Sequence, residues 1–290
     1  MLTGKRAVRP RAIAEAAAAR RRPDAPVDDA GRVMVIAADH TARGMLGAGR
    51  RPHAMVDRAD LLDRLCLALS QPGVTGVLGT PDVIEDLLLL DALDGIAVFG
   101  SMNRGGLQGA AWEIDDRFTA YDAAAIEAMG YEGGKMLVRI DLEDPATAAT
   151  VEACARAVSD LAQRELVAMV EPFMARRVDG RVRNDLTTEA AVRASVIAAG
   201  LGTTSAHTWL KVPVVEDMER VVGATTLPTV LLGGEVADDQ DATFAAWQRA
   251  LEAPGAIGLV VGRSLLYPPD DDVAAAVSAA VGLLPGKLPA

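Results

Sequence analysis

The chain is short of aromatic residues, cysteine, histidine and lysine, and each shortage closes a door. Phe, Trp and Tyr together make up 3% of the 290 residues. A core must therefore be aliphatic, built from the Ala, Val and Leu that dominate a composition half hydrophobic. The two cysteines, Cys66 and Cys154, fall in helical patterns. That leaves no disulfide framework, and it fits a reduced, cytoplasmic setting. The three histidines, His40, His53 and His207, stand in unrelated contexts with no H-E-x-x-H or C-x-x-C around them. No metal site is expected, and no cofactor. No apolar run approaches the roughly 20 residues of a membrane span. The first 26 residues contain no stretch suited to a secretory signal, and a short helix plus linker is expected there. Net charge is −11, which argues against nucleic acid as a partner.

Apolar runs alternate eight times with amphipathic segments. The expected strands cover 33–39, 76–79, 95–101, 135–141, 166–173, 207–214, 229–233 and 258–262. Helical patterns cover 57–70, 81–93, 120–129, 145–163, 188–199, 216–222, 238–251 and 271–283. Alternation of this kind implies βα units on a parallel sheet, and eight units in about 250 residues fit a (β/α)8 barrel. A doubly wound open sheet competes, but no Gly-x-Gly-x-x-Gly follows the first strand. No Pro, Gly or Ser linker divides the chain after residue 30. The reading is one α/β barrel domain over 31–290, preceded by an N-terminal extension over 1–30.

Lysine is the most informative shortage. Lys5, Lys135, Lys211 and Lys287 stand against twenty-five arginines. Lys211 lies in Thr208-Trp209-Leu210-Lys211-Val212-Pro213-Val214, an apolar run. Burial disfavours an ammonium there, and a neutral lysine is a nucleophile toward carbonyls. Chemistry in a barrel collects at the carboxyl ends of its strands. Those ends carry Asp39-His40, Ser101, Glu171 and Lys211. In the fourth strand, Lys135, Leu137, Arg139 and Asp141 share one face by period two, so charge should line the interior. Asp39, Glu171 and Lys211 are the expected partners, and a purely structural ion network is the competing reading. Trp209 shares parity with Lys211 and is expected to help desolvate its amine. The last two strands end in Gly233-Gly234 and Gly262-Arg263, a pattern suited to a phosphate. The glycine-rich segment 101–109 reads as a substrate loop, or else as a plain surface loop.

These residues together resemble the class I, Schiff-base aldolases with a (β/α)8 barrel. The nearest branches are tagatose-1,6-bisphosphate aldolase and the archaeal-type fructose-bisphosphate aldolases, related to deoxyribose-phosphate aldolase. The resemblance covers roughly 30–268 and rests on Ala37-Ala38-Asp39-His40, Gly134-Lys135-Met136-Leu137, Val170-Glu171-Pro172, Leu210-Lys211-Val212-Pro213, Leu232-Gly233-Gly234 and Val261-Gly262-Arg263. It implies Lys211 as the Schiff-base lysine and Asp39, Lys135 and Glu171 as acid/base and charge-tuning residues. It also implies Gly234 and Arg263 at a phosphate. The tagatose branch has a Lys-Val-Glu-Val context where this chain has Lys211-Val212-Pro213-Val214. The seventh strand lacks the second lysine of deoxyribose-phosphate aldolase. The chain also resembles aldolase-like proteins of inositol catabolism, which would imply 2-deoxy-5-keto-gluconate 6-phosphate as substrate.

The expected activity is therefore aldol cleavage or formation in a phosphorylated keto-sugar. Lys211, Glu171, Asp39 and Lys135 would be catalytic. Arg139, Gly233, Gly234, Gly262, Arg263, His40 and Ser101 would bind substrate or phosphate. Like-charge repulsion from Lys135 or Arg139 would depress the Lys211 pKa. A phosphate-binding barrel isomerase or epimerase with Lys211 as base is one alternative, and a non-catalytic sugar-phosphate binder is another. The expected partner is a small phosphorylated sugar, with neither nucleic acid nor membrane, and a homo-oligomer is anticipated from the Ala-rich helices.

Overall fold

The computed structural model describes residues 2–103, 107–284 and 286. The strands are β1 (Val33–Ala37), β2 (Gly76–Gly79), β3 (Ala97–Ser101), β4 (Gly133–Ile140), β5 (Val167–Val178), β6 (Arg181–Asn184), β7 (Thr208–Pro213), β8 (Thr229–Leu232) and β9 (Ala256–Val261). All except β6 run parallel, in the order β4-β3-β2-β1-β9-β8-β7-β5. A further parallel pairing of β4 with β5 closes the ring. The expected (β/α)8 barrel is the fold.

Helices α1 (Leu2–Val8) and α2 (Ala12–Ala19) precede the ring. The sequence reading expected a single short helix there. The crossover helices are α3 (Arg58–Leu69), α4 (Pro81–Leu89), α5 (Ala123–Ala128), α6 (Ala146–Ala162), α7 (Thr188–Ala199), α8 (Met218–Gly223) and α9 (Gln240–Leu251). Two more, α10 (Arg263–Leu266) and α11 (Val273–Gly282), end the chain. Their starts follow from side chains that accept otherwise orphaned amides. Asp57, Asp122, Thr187, Asp217, Asp239 and Asp272 each cap the helix that follows. Among the described residues no helix is long and apolar enough to cross a membrane.

Period-two geometry sorts the core into two layers. On β1, Met34, Ile36 and Ala38 face outward and pack with the helices. Val33, Val35 and Ala37 face inward, where they meet Phe99, Met169, Trp209 and Val230. Trp209 and Phe99 lie 5.9 Å apart at 45°, filling the middle of the ring. Each large side chain so buried contributes roughly 1.5–3 kcal/mol. The result is an apolar interior on the strand face that Trp209 shares with Lys211.

The fifth strand departs from expectation. It runs on past Phe173 to Val178, leaves the ring and turns back as β6 in an antiparallel hairpin. Asp179 and Gly180 make the two-residue turn with φ of 51° and 76°. Two consecutive left-handed residues match strand twist, which is why Asp-Gly suits this turn. Arg177 fastens the hairpin to the mouth. Its Nε lies 3.0 Å from Asp144 Oδ2, and its Nη2 donates to the Ala111 carbonyl at 2.9 Å.

Candidate active site

Register explains why four charged residues meet. Ser101 on β3 pairs with Lys135 on β4, and Lys135 pairs with Met169 on β5. Met169 pairs with Trp209 on β7. Two residues further toward the carboxyl ends, the same inward parity brings Glu171 beside Lys211. Asp39 follows the end of β1 and points into the same space. Lys135 Nζ lies 3.1 Å from Asp39 Oδ2 and 2.5 Å from Glu171 Oε2. Glu171 Oε1 lies 3.0 Å from Lys211 Nζ. Asp39, Lys135, Glu171 and Lys211 thus form one continuous buried chain of alternating charge. The strand starts at Gly133, so Lys135 is already inside the ring and reaches both carboxylates.

The two lysines are driven apart. Burial and the nearby Lys135 charge lower the Lys211 pKa, and Glu171 only partly offsets them. Burial also acts on Lys135, but Asp39 and Glu171 outweigh it and raise its pKa. For Glu171, burial favours the neutral acid, yet Lys135 and Lys211 overcome it and pull the carboxyl down to about 2. Asp39 is held well below the usual carboxylate range chiefly by Lys135, against the same burial. Burial pushes the His40 imidazole down to about 3, despite Asp39. The arrangement is one firmly protonated lysine, two ionised carboxylates, a neutral imidazole and one lysine inclined to lose its proton.

Glu171 and Lys211 open onto a cleft of about 820 Å3, whereas Asp39 and Lys135 do not line it and stay buried. All the sequence-predicted binding residues except Ser101 line it. Ser101 lies beneath it, buried, with Oγ 3.3 Å from Asp39 Oδ2 and 3.0 Å from the Asn103 carbonyl. Gly233, Gly234, Gly262 and Arg263 sit together after β8 and β9. Gly234 has a φ of 70°, which a side chain resists, and a Cβ on Gly262 would stand 2.2 Å from the Ala37 carbonyl oxygen. Arg263 Nη2 lies 3.2 Å from Glu235 Oε1, whose side chain is 78% exposed.

Two expectations fail locally. Arg139 is expected to pair with Asp39 or Glu171. It is ion-paired with Glu113 instead, and it does not figure among the groups that shift Lys211. The reason is the segment after β3, which folds back over the mouth and delivers Glu113 above β4. Asp141, given the same parity, lies past the end of β4 and caps a turn by accepting from the Glu143 amide. Sequence reasoning also missed Arg43, Glu113, Arg181 and Arg183, all of which line the cleft. Asp179-Gly180 between alternating segments was the available signal for the hairpin that brings the last two. No comparable local signal marks Glu113 or Arg43. Of the predicted substrate loop, 104–106 lie outside the described residues, as does Lys287. Among the described residues no cluster of His, Cys, Asp or Glu could hold a metal ion.

Comparison with known proteins places this geometry. The structure of Cgl0159 from Corynebacterium glutamicum superposes with a TM-score of 0.94 at 52% identity, over 98% of this chain and 95% of that one. A Schiff-base-forming fructose-1,6-bisphosphate aldolase aligns at 20% identity and a TM-score of 0.65, covering 94% of this chain and 100% of its own. An archaeal fructose-1,6-bisphosphate aldolase, captured with its catalytic Lys bound to a carbinolamine intermediate, gives 19% and 0.66 over 94% and 99%. At such identities the last two are likenesses of fold. They bear out the resemblance to class I aldolase barrels at that level and leave the inositol branch unaddressed. No curated protein matches the chain. A family model described as Cgl0159-like matches residues 31–281, which is nearly the whole barrel, and the chain belongs to that family.

Proposed function

We propose that the protein is a class I aldolase that cleaves or forms a C–C bond in a phosphorylated keto-sugar through a Schiff base on Lys211. The observation that carries this reading is the pairing of Lys211 with Glu171 at 3.0 Å in a buried site, with Lys135 behind it. A lysine held there only as an ion-pair partner would have its pKa raised, as Lys135 does, whereas burial and the Lys135 charge leave this one lowered.

Neutral Lys211 adds to the substrate ketone and gives a carbinolamine. Loss of water gives an iminium. The iminium draws the electrons of the breaking C–C bond onto nitrogen and becomes a neutral enamine. The hydroxyl proton on the departing half passes to a carboxylate, and an aldehyde leaves. Glu171 suits this role better than Asp39. While nitrogen is positive, Glu171 is held ionised by it. Once the charge vanishes, Glu171 loses one of its two cations and its affinity for a proton rises in the same step. Asp39 keeps Lys135, whose charge does not change. Protonated Glu171 then returns the proton to the enamine carbon, and water hydrolyses the resulting iminium to free the second product.

The cleft is basic although the chain is acidic overall. Arg263 and the Gly233–Gly234 backbone form one pole, where a phosphate would orient the ketone half. In an eight-stranded ring, β4 lies opposite β9. Arg139 therefore faces Arg263 across the mouth, with the exposed Arg181 and Arg183 at its rim. An anionic group at the far end of the sugar fits that second pole. Such a group is present in 2-deoxy-5-keto-gluconate 6-phosphate, whose carboxylate stands away from its phosphate. Borohydride reduction in the presence of dihydroxyacetone phosphate tests the chemistry. A covalent adduct located on Lys211 is expected. Equal labelling of wild type and Lys211→Met would refute the assignment.

A further inference from the structure

Three of the cleft's cations are already partnered. Lys211 has Glu171, Arg139 has Glu113 and Arg263 has Glu235. Arg43 differs. It sits at the end of a single turn of 3-10 helix, Thr41–Arg43, that follows β1, and it lines the cleft. Its Nε is buried, and among the described residues it has no hydrogen-bond partner. The Gln108 amide donates to the Arg43 carbonyl at 3.0 Å, which fixes the backbone from which the guanidinium projects. Its positive charge is felt by Asp39, Lys135 and Glu171 and also by Arg139, so it stands near three of the four charged residues and near the Arg139 pole.

We propose that Arg43 is the specificity residue for the far end of the substrate, and that it binds a carboxylate there. This rests on the aldolase reading above. Arg43 and Arg139 bring two positive charges, and the buried Glu113 cancels one. Inside the solvent-screened rim of Arg181 and Arg183, the remainder is a single positive charge, which matches a carboxylate better than a doubly charged phosphate. A planar guanidinium with a free Nε can also engage both carboxylate oxygens side by side. Glu113 is held from two sides, by Arg139 and by the Gly109 amide at 3.1 Å, so a second anion would not displace it readily. The partner of Arg263 is exposed and swings free at little cost, and a phosphate belongs at that pole.

The aldol addition separates the two halves. Dihydroxyacetone phosphate supplies the enamine, and the acceptor is either 3-oxopropanoate or propanal, which differ by a carboxylate. Wild type should favour 3-oxopropanoate by at least about tenfold in kcat/KM. In Arg43→Met that ratio should collapse to within about threefold, with the loss in the KM for the acid aldehyde. Arg43→Lys keeps the charge without the fork and should fall between. A wild type indifferent to the carboxylate, or an Arg43→Met that keeps the ratio, would overturn the inference while leaving the Schiff base standing. The wild-type ratio and Arg43→Lys decide the matter even where Arg43→Met does not fold. Failure of wild type to give any borohydride adduct would overturn the parent reading and this inference with it.

Discussion

Two buried clusters of charge occupy opposite ends of the same barrel. At the floor, Arg20 from the N-terminal extension donates to the Ile96 and Gly130 carbonyls at 2.7 and 2.6 Å. It also lies 3.1 Å from Glu132, which accepts in turn from the Val98 amide at 2.7 Å. Both charges there are answered by fixed backbone and by arginines that do not titrate, Arg22 lying 3.0 Å from Glu132 as well. At the mouth, Lys135, Glu171 and Lys211 are answered chiefly by one another, around an open cleft. The first arrangement ties the extension to the barrel. In the second, changing the charge of one member changes the proton affinity of the next, which is what acid/base chemistry requires. Burial of charge therefore does not by itself mark a site. The contrast lies in whether the partners are fixed dipoles or other titratable groups.

The largest test of that contrast is Lys211→Met. Turnover should drop by at least about ten-thousandfold, because no other group on the proposed path forms the iminium. Circular dichroism should still report a folded barrel. The matching change at the floor is Arg20→Met, which takes from Glu132 its buried partner and leaves it only the half-exposed Arg22 and the Val98 amide. It should cost about 3–5 kcal/mol of stability, read as a lower denaturant midpoint, while turnover per folded molecule stays at the wild-type level. If Arg20→Met impaired kcat as severely as it impaired stability, the two ends would not be separable in this way.

The pH dependence sharpens the comparison by sign. Imine formation needs neutral Lys211, so its rate should climb with pH and reach its midpoint below the ordinary lysine value of 10.5. Glu171→Gln removes a charge that raises the Lys211 pKa, so the midpoint should move down. Lys135→Met removes one that lowers it, so the midpoint should move up. Stability follows the opposite members. The carboxyl of Glu171 is held at about 2, below its ordinary 4.5. The unfolded chain therefore binds the extra proton between these values. The stabilisation is complete above the ordinary value and is lost as pH falls toward 2. Stopped-flow imine formation and acid unfolding would read the two separately. Shifts of the same sign in both variants would break the proposed coupling.

Much of this was legible because period two is rigid. Once Lys211 and Trp209 share a face of one strand and Lys135 and Arg139 share a face of another, closing the ring puts them inside. The eight barrel strands and the inward faces of Lys135, Glu171 and Lys211 followed from that, although Lys135 stands near the start of its strand and not at its end. What escaped came from segments with no period. Glu113 and Arg43 reach the cleft from irregular backbone whose path is set by contacts distant in sequence, such as the bond from the Gln108 amide to the Arg43 carbonyl. The β5–β6 hairpin carries its turn signal in Asp179-Gly180, but the arginine-rich segments on either side lack the apolar run that marks the barrel strands. Arg139 shows the limit most clearly. Its face was read correctly and its partner was not, because parity fixes direction while a loop supplies the counter-ion.

The smallest expected effect concerns Ser101, which has no exposed surface. Its hydroxyl carries one hydrogen, offered either to Asp39 Oδ2 at 3.3 Å or to the Asn103 carbonyl at 3.0 Å. Ser101→Ala removes that choice but leaves Lys135 on Asp39, so the carboxylate keeps its strongest partner. The cost to stability should be about 1 kcal/mol, since a shared hydrogen bond is weaker than a dedicated one. At the floor, a deletion of that size would be felt in stability alone. At the mouth it should also appear as a few-fold loss in kcat, because an Asp39 freed on one side is less firmly set against Lys135 and, through it, Glu171. A Ser101→Ala enzyme with reduced stability and undiminished kcat would place Ser101 with the floor residues rather than with the mouth.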